Sequence, residues 1–185
     1  MEKKKKSGLF TPVIVLGLIA LISAGALGAV NLLTEEPIAE RQAVSRADAM
    51  REVLAADRYE ATAIAGVFEA HSDSVIPSLL GYVIETEPSG FGGAINLVTG
   101  VSANGEVTGI AIISMTETSG LGTNADKPDW RAQFAGISGK AALSKDGGTI
   151  DALTGATITS RAIVDGVNKA LAVFEENNLK REGLV

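Results

Sequence analysis

The sequence predicts an α+β protein: a single N-terminal transmembrane helix followed by an extracytoplasmic domain in which helices pack an antiparallel sheet. Three observations predict it. Leu9 to Leu33 is a stretch of 25 residues without a charged side chain. Three runs rich in apolar and β-branched residues follow one another between residues 79 and 115, the last two separated by a segment that contains Asn104-Gly105. Near the C-terminus, Ile163, Val167, Ala170, Leu171 and Phe174 recur at helical spacing. A chain of 185 residues holds one domain of ordinary size plus an anchor.

The anchor comes first. At 1.5 Å per residue, Leu9 to Leu33 reaches roughly 37 Å as a helix, enough to cross a hydrocarbon core of ~30 Å with some tilt. Lys3-Lys4-Lys5-Lys6 stands immediately before it, so the positive-inside rule places residues 1–8 in the cytoplasm and the chain after Thr34 outside it. A cleaved signal peptide is the competing reading, with small residues at Ala24-Gly25-Ala26 and Ala26-Leu27-Gly28. The apolar run, however, exceeds the roughly 7–15 residues of a signal h-region. Ala20, Ala24 and Gly28 share one row of the helix; they either admit a neighbouring membrane helix closely or reflect the general frequency of Gly and Ala in membrane spans.

Beyond residue 33 the chain carries 12 basic and 21 acidic residues, a formal −9. Such a surface argues against nucleic acid and against close association with anionic lipid headgroups. There is no cysteine, which excludes disulfides, thiolate zinc sites and cysteine-ligated iron–sulfur clusters in this chain. Any redox chemistry in this chain would therefore come from a bound organic cofactor.

Thr34 to Glu40, with paired acids and Pro37, reads as a polar exit from the membrane. Arg41 to about Asp57 is helical in pattern, with Ala43, Ala47, Met50, Val53 and Leu54 on one face, and residues 34–60 form a juxtamembrane segment that leads into a domain over 61–185. Ala61 to Phe68 reads as a strand and Ala70 to Ser78 as irregular. His71, the only histidine, lies beside Ser72 and Asp73 and receives no role. Strands are expected at Leu79–Glu85, Ile95–Val101 and Val107–Met115, an antiparallel meander whose last turn is the Asn104-Gly105 hairpin. The glycines of Thr118-Ser119-Gly120-Leu121-Gly122 mark either a ligand-facing loop or a tight turn. Trp130, Gln133, Phe134 and Ile137 suggest a short helix or turn, and Ala141 to Ile150 a last pair of short strands. The C-terminal helix ends near Asn177-Asn178, with Lys180 and Arg181 at its negative end.

Just before that helix lies Asp151-Ala152-Leu153-Thr154-Gly155-Ala156-Thr157, followed by Ile158-Thr159-Ser160. A threonine side chain at a helix start stands beside backbone N–H groups that have no intrahelical partner, a setting that stabilises an anion. By itself the stretch also reads as a Ser/Thr helix cap, with Thr159 and Ser160 as further capping hydroxyls.

The pattern Asp-x-x-Ser/Thr-Gly-Ala-Thr resembles the flavinylation motif of the FMN-binding subunits of Rnf-type and sodium-pumping NADH:quinone oxidoreductase complexes. The anchor, Gly90-Phe91-Gly92-Gly93, Glu117-Thr118-Ser119-Gly120-Leu121-Gly122, Trp130, Phe134 and the motif follow in the order seen in the G subunit of Rnf complexes. The resemblance runs from the anchor to the last helix. It implies a membrane-anchored electron carrier of an ion-translocating ferredoxin:NAD oxidoreductase, placed in the inner membrane and acting with the other subunits of that complex. FMN would be bound covalently to Thr157 through a phosphoester, installed by a flavin transferase that draws it from FAD. Gly155 and Ala156 would leave room for the phosphate, Asp151 and Thr154 would serve recognition or positioning, and Thr159 and Ser160 would serve either as caps or as phosphate donors. The flavin ring would lie along Glu117, Thr118, Gly120, Leu121 and Gly122, with Trp130 either stacked on it or placed in the core. No general acid, general base or metal is implied. The alternatives are the C subunit of a sodium-pumping NADH:quinone oxidoreductase and a non-redox structural module. Ser119 stands where the resembled loop has proline, and Phe91 where it has tyrosine.

Overall fold

The structure, a computed structural model, describes residues 10–74 and 78–181, and the side chains of all of these except 10, 35–40 and 179–181. The basic run at Lys3-Lys4-Lys5-Lys6 and Leu9 lie outside the described residues, as do the side chains of Lys180 and Arg181. The chain forms two compact units, Met1–Val44 and Ser45–Val185.

Helix α1 runs from Phe10 to Val53. Within it, Thr11–Thr34 has a mean hydropathy of 2.6 and no buried residue, the one segment among the described residues long and apolar enough to cross a membrane. The polar exit expected at 34–40 is helical. Glu, Ala, Arg and Gln around Pro37 are good helix formers, and their propensity carries the backbone past a single missing N–H.

The second unit is built on one sheet of five antiparallel strands in the order β1-β2-β3-β4-β5: Arg58–Ala61, Val67–Ser72, Ser78–Thr86, Ile95–Ser102 and Val107–Met115. The last three match the expected meander. Gly105 supplies the positive φ (83°) of the β4–β5 turn, where Ser102 and Glu106 also bond across the ends. The first two strands correct the reading of this stretch. The segment expected as a strand, Ala61 to Phe68, is mostly the β1–β2 turn. Its apolar composition suggested a strand, but the Thr62 hydroxyl accepts from the Ile64 N–H at 3.2 Å, the Thr62 N–H donates to the Val67 carbonyl at 3.0 Å, and Gly66 turns the chain at φ 74°. β1 is short and mostly exposed, so it has no apolar alternation to announce it; pairing with β2, Arg58 opposite His71 through Ala61 opposite Phe68, makes it a strand.

Both faces of the sheet are covered. On one face Tyr82, Ile84, Leu97, Val101 and Ile110 pack against Ile163, Val167, Ala170, Leu171 and Phe174 of the C-terminal helix α3 (Thr157–Arg181), with Tyr82 and Phe174 edge to face at 5.5 Å. On the other, Val83, Val98 and Ala111 meet Ala49, Met50 and Val53 from the end of α1. Burying each large side chain of this kind contributes about 1.5–3 kcal/mol. The Thr108 hydroxyl donates to the Val53 carbonyl, which satisfies a helix-end acceptor.

Between β5 and α3 the chain is held by short turns. A 3-10 turn (Gly122–Asp126) precedes the short helix α2 (Pro128–Arg131), and Trp130 and Phe134 fill the core beneath, 5.2 Å apart and edge to face. The pair of strands expected over Ala141–Ile150 is a single parallel bridge, Leu143 to Ile150, around the 3-10 turn Ser144–Asp146. Gly147 at φ 87° and the Gly148 N–H, which donates to the Leu143 carbonyl at 2.9 Å, close that turn too tightly for a hairpin ladder.

α3 approaches the sheet through Gly166. A Cβ there would stand 2.8 Å from Leu97 Cδ2, 2.9 Å from Pro88 Cγ and 3.1 Å from Thr86 Oγ1. Alanine gains about 1 kcal/mol of helix propensity, whereas overpacking a filled core costs about 1–3 kcal/mol. Gly166→Ala is therefore expected to destabilise the domain by about 1 kcal/mol net, seen as a lower thermal midpoint; a raised midpoint would show that α3 can withdraw without cost.

Candidate functional site

The segment leading into α3 is held from several sides. The Trp130 indole N–H donates to the Asp151 carbonyl at 2.8 Å, the Asp151 N–H donates to Gln133 Oε1 at 2.8 Å, and the Ser144 hydroxyl donates to the Asp151 carboxylate at 2.7 Å. Further on, the Leu153 N–H donates to Ser160 Oγ, which itself donates to the Ala156 carbonyl, each at 2.9 Å. Ser160 is fully buried and fastens the loop to the first turn, so it is not the N-cap; nor is Thr159, whose hydroxyl points elsewhere. Gly155 makes the final turn at φ 74°, and α3 begins at Thr157.

Gly155→Ala forces a side chain into the left-handed region, at about 1–2 kcal/mol, with Leu121 Cδ2 only 3.1 Å from the new Cβ. The expected result is a loss of about that size in chemical unfolding, with Gly155→Asn milder because asparagine tolerates this backbone; equal losses in the two variants would assign the cost to crowding instead.

Thr157 is exposed at the edge of a cavity of about 400 Å3. Its hydroxyl has no hydrogen-bond partner among the described residues, and the first-turn N–H groups of a helix have none within it. Phe91, Leu121 and Ile158 form apolar walls, and all three are exposed large side chains. Glu117, Thr118 and Thr159 supply polar groups, while Gly122, Gly155 and Ala156 keep the floor clear. Glu117 Oε1 accepts from the backbone N–H groups of Phe91 (2.8 Å) and Gly92 (3.2 Å), and Oε2 accepts from the Thr159 hydroxyl at 2.9 Å.

Of the residues singled out in the sequence, this cavity gathers Glu117, Thr118, Leu121, Gly122, Gly155, Ala156 and Thr157. Gly120, Asp151, Thr154 and Trp130 do not line it. Gly120 turns the chain at φ 76°, its N–H donating to Thr123 Oγ1 and its carbonyl accepting from Asn124. Thr154 is exposed, Asp151 is engaged with Ser144, and Trp130 is 8% exposed within the core. Sequence reasoning missed Ile158 as a wall and treated Phe91 only as a substitution. An aromatic residue within a run of glycines was the available signal, since such a loop cannot bury it.

Residues 90–172 match the family model described as the FMN-binding domain, and residues 12–53 match the one described as the RnfG N-terminal region. The first match spans the whole lining of the cavity, from the Phe91 loop to the first turn of α3. The G subunit of the Na+-translocating ferredoxin:NAD+ oxidoreductase complex of Acetobacterium woodii is 34% identical, over 95% of this chain and 98% of its own. The chain belongs to the G-subunit family of Rnf-type ion-translocating oxidoreductase complexes. The family includes the G subunit of the ion-translocating oxidoreductase complex of Pseudomonas aeruginosa, 32% identical over 96% of this chain and 94% of that one. The G subunit of the proton-translocating ferredoxin:NAD+ oxidoreductase complex of Clostridium ljungdahlii is 34% identical over 92% and 94%. Among solved structures, the chain is similar to the C subunit of the Na+-translocating NADH-quinone reductase from Parabacteroides distasonis, with a TM-score of 0.46, 23% identity and coverage of 57% of this chain and 58% of that one. With one helix among its described residues long and apolar enough to cross a membrane, this member of the G-subunit family is a single-pass membrane protein.

The site's residues fit FMN. A free hydroxyl beside first-turn N–H groups suits a phosphate. The cavity volume and its three apolar walls suit a flat ring that is largely buried on one side.

Proposed function

We propose that this chain is the electron-carrier subunit of an Rnf-type ferredoxin:NAD oxidoreductase and carries FMN covalently on Thr157 through a phosphoester bond. The observation that carries the reading is the position of Thr157: exposed, without a hydrogen-bond partner among the described residues, at the start of α3 and on the rim of the cavity that the FMN-binding match encloses. The relatives named as G subunits match over nearly their whole length, which favours this family over the C subunit of a quinone reductase.

Attachment balances as a phosphoryl transfer. The Thr157 Oγ1–P bond forms as the pyrophosphate P–O bond of FAD breaks, AMP leaves with the bridging oxygen, and the hydroxyl proton is released. A separate flavin transferase performs the step, with the Asp151–Thr157 stretch as its recognition segment; Asp151 and Thr154 are surface-exposed, as a segment read by a second protein must be. Bound flavin supplies the electron-transfer chemistry. The chain orients it: Phe91, Leu121 and Ile158 exclude water from the ring faces, and the α3 N-terminus offsets the phosphate charge. Covalent attachment also retains the cofactor on the side of the membrane where it is not replenished.

In this reading residues 1–8 are cytoplasmic, 9–33 span the inner membrane, 34–60 lead out of it and 61–185 hold the flavin outside the cytoplasm. Mass spectrometry of the Thr157-containing peptide, from cells with an active flavin transferase, tests the attachment. One added FMN phosphoryl group on Thr157 is expected, and an unmodified peptide would sink the proposal.

A further inference from the structure

The Glu117 carboxylate is the point at which three parts of the domain meet. Its Oε1 holds the Phe91 and Gly92 N–H groups at 2.8 and 3.2 Å, and its Oε2 holds the Thr159 hydroxyl at 2.9 Å, in the first turn of α3. Two glycines give it room. A Cβ on Gly90 would collide with Oε1, and one on Gly122 would stand 2.5 Å from Oε2 and 2.8 Å from the Glu117 Cβ. Neither glycine has a positive φ, so backbone freedom does not account for them, whereas clearance for the carboxylate does.

The loop it holds has few other ties. A bridge between Ser89 and Ala94 closes its base, the Gly90 N–H donates to the Gly93 carbonyl, and the Thr116 hydroxyl donates to the Gly92 carbonyl at 3.1 Å. The Phe91 side chain itself is 68% exposed, so packing does not fix the tip. A carboxylate is an acceptor only, and three donors converge on this one. Hydrogen bonds to a charged acceptor are the stronger kind.

We infer that Glu117 is a positioning residue, a latch that ties the Phe91 loop to the first turn of α3 and so fixes the spacing between the two walls of the cavity. Its value to a bound flavin rests on the function proposed above; the latch itself does not. The carboxylate oxygens serve the protein's own donors, and the cofactor meets the wall that they hold in place.

Hydrogen exchange on the full chain in detergent micelles, produced without the flavin transferase, tests the latch independently of attachment. Glu117→Ala is expected to speed exchange at the Phe91 and Gly92 amides by about tenfold or more, the equivalent of one charge-assisted hydrogen bond, while β4 and α3 stay protected. Glu117→Gln keeps an acceptor oxygen for the loop and an amide facing Thr159 Oγ1, and it is expected to restore most of the protection. If Glu117→Ala lowers protection throughout, Gly122→Ala is read instead: its Cβ displaces the carboxylate with the charge intact, and the same local loss is expected. Unchanged exchange at residues 91 and 92, or Glu117→Gln as fast as Glu117→Ala, overturns the latch. Thr157 found unmodified in chain from cells with an active flavin transferase, while residues 91 and 92 respond as described, would overturn the flavin reading and leave the latch standing.

Discussion

Thr157→Ala is expected to abolish covalent flavin attachment altogether while leaving the domain folded. The side chain is exposed and makes no hydrogen bond among the described residues, so its removal costs the native state little. Alanine is also a good helix former at the start of α3. The effect on attachment is all or none, because no other exposed hydroxyl of the cavity stands at the start of α3: Thr159 and Ser160 are buried and engaged with Glu117, Leu153 and Ala156, and Thr118, which also lines the cavity, belongs to the loop after β5. Thr154, on the far side of the Gly155 turn, does not line the cavity. In-gel flavin fluorescence after denaturation reads the result directly. Fluorescence that survives in Thr157→Ala, with an unchanged melting curve, would assign the flavin to another residue. Thr157→Ser keeps the hydroxyl and is expected to retain at least part of the labelling.

The second large effect is on stability. Trp130→Ala is expected to destabilise the domain by about 3–5 kcal/mol, as removal of a buried large aromatic does. Two losses combine there: the cavity beside Phe134, and the indole N–H that holds the Asp151 carbonyl at 2.8 Å. The second loss also frees the start of the segment that leads to Thr157, so attachment should fall in parallel with the fraction folded. Trp130→Phe retains much of the apolar volume and is expected to cost less, chiefly the orphaned carbonyl. Thermal or chemical unfolding separates this from a role in ring stacking. A stacking tryptophan would leave stability nearly unchanged on removal and alter the spectrum of the bound flavin instead.

The two sequence readings of Trp130 show where local pattern stops. Its neighbours, an apolar phenylalanine and a polar glutamine, suit either a core turn or a cofactor wall. The choice depends on Asp151, 21 residues away, whose carbonyl turns the indole inward. Ser160 is a similar case. A serine in the first turn of a helix reads as a cap, but the turn at Gly155 brings the Leu153 N–H to its hydroxyl and makes it a clasp. β1 was hidden for the opposite reason: Arg-Tyr-Glu-Ala has no buried face to show as alternation, and its strand character comes from pairing.

What the sequence determined by itself are the features whose signal is periodic or contained in a few adjacent residues. These are the apolar span, whose length alone suffices to cross a bilayer; strands β3 to β5 with their Asn-Gly turn; the apolar face of α3; and the place of Thr157 at the start of that helix. The tertiary structure decided which side chains meet. It brought Phe91, Leu121 and Ile158 around one cavity, sent Trp130 into the core, and joined Glu117 to partners 26 residues before it and 42 after. The physical reason is range. Helix and strand periods arise from the backbone geometry of neighbouring residues, whereas a carboxylate's partners are whichever donors the packed sheet and helix deliver to it.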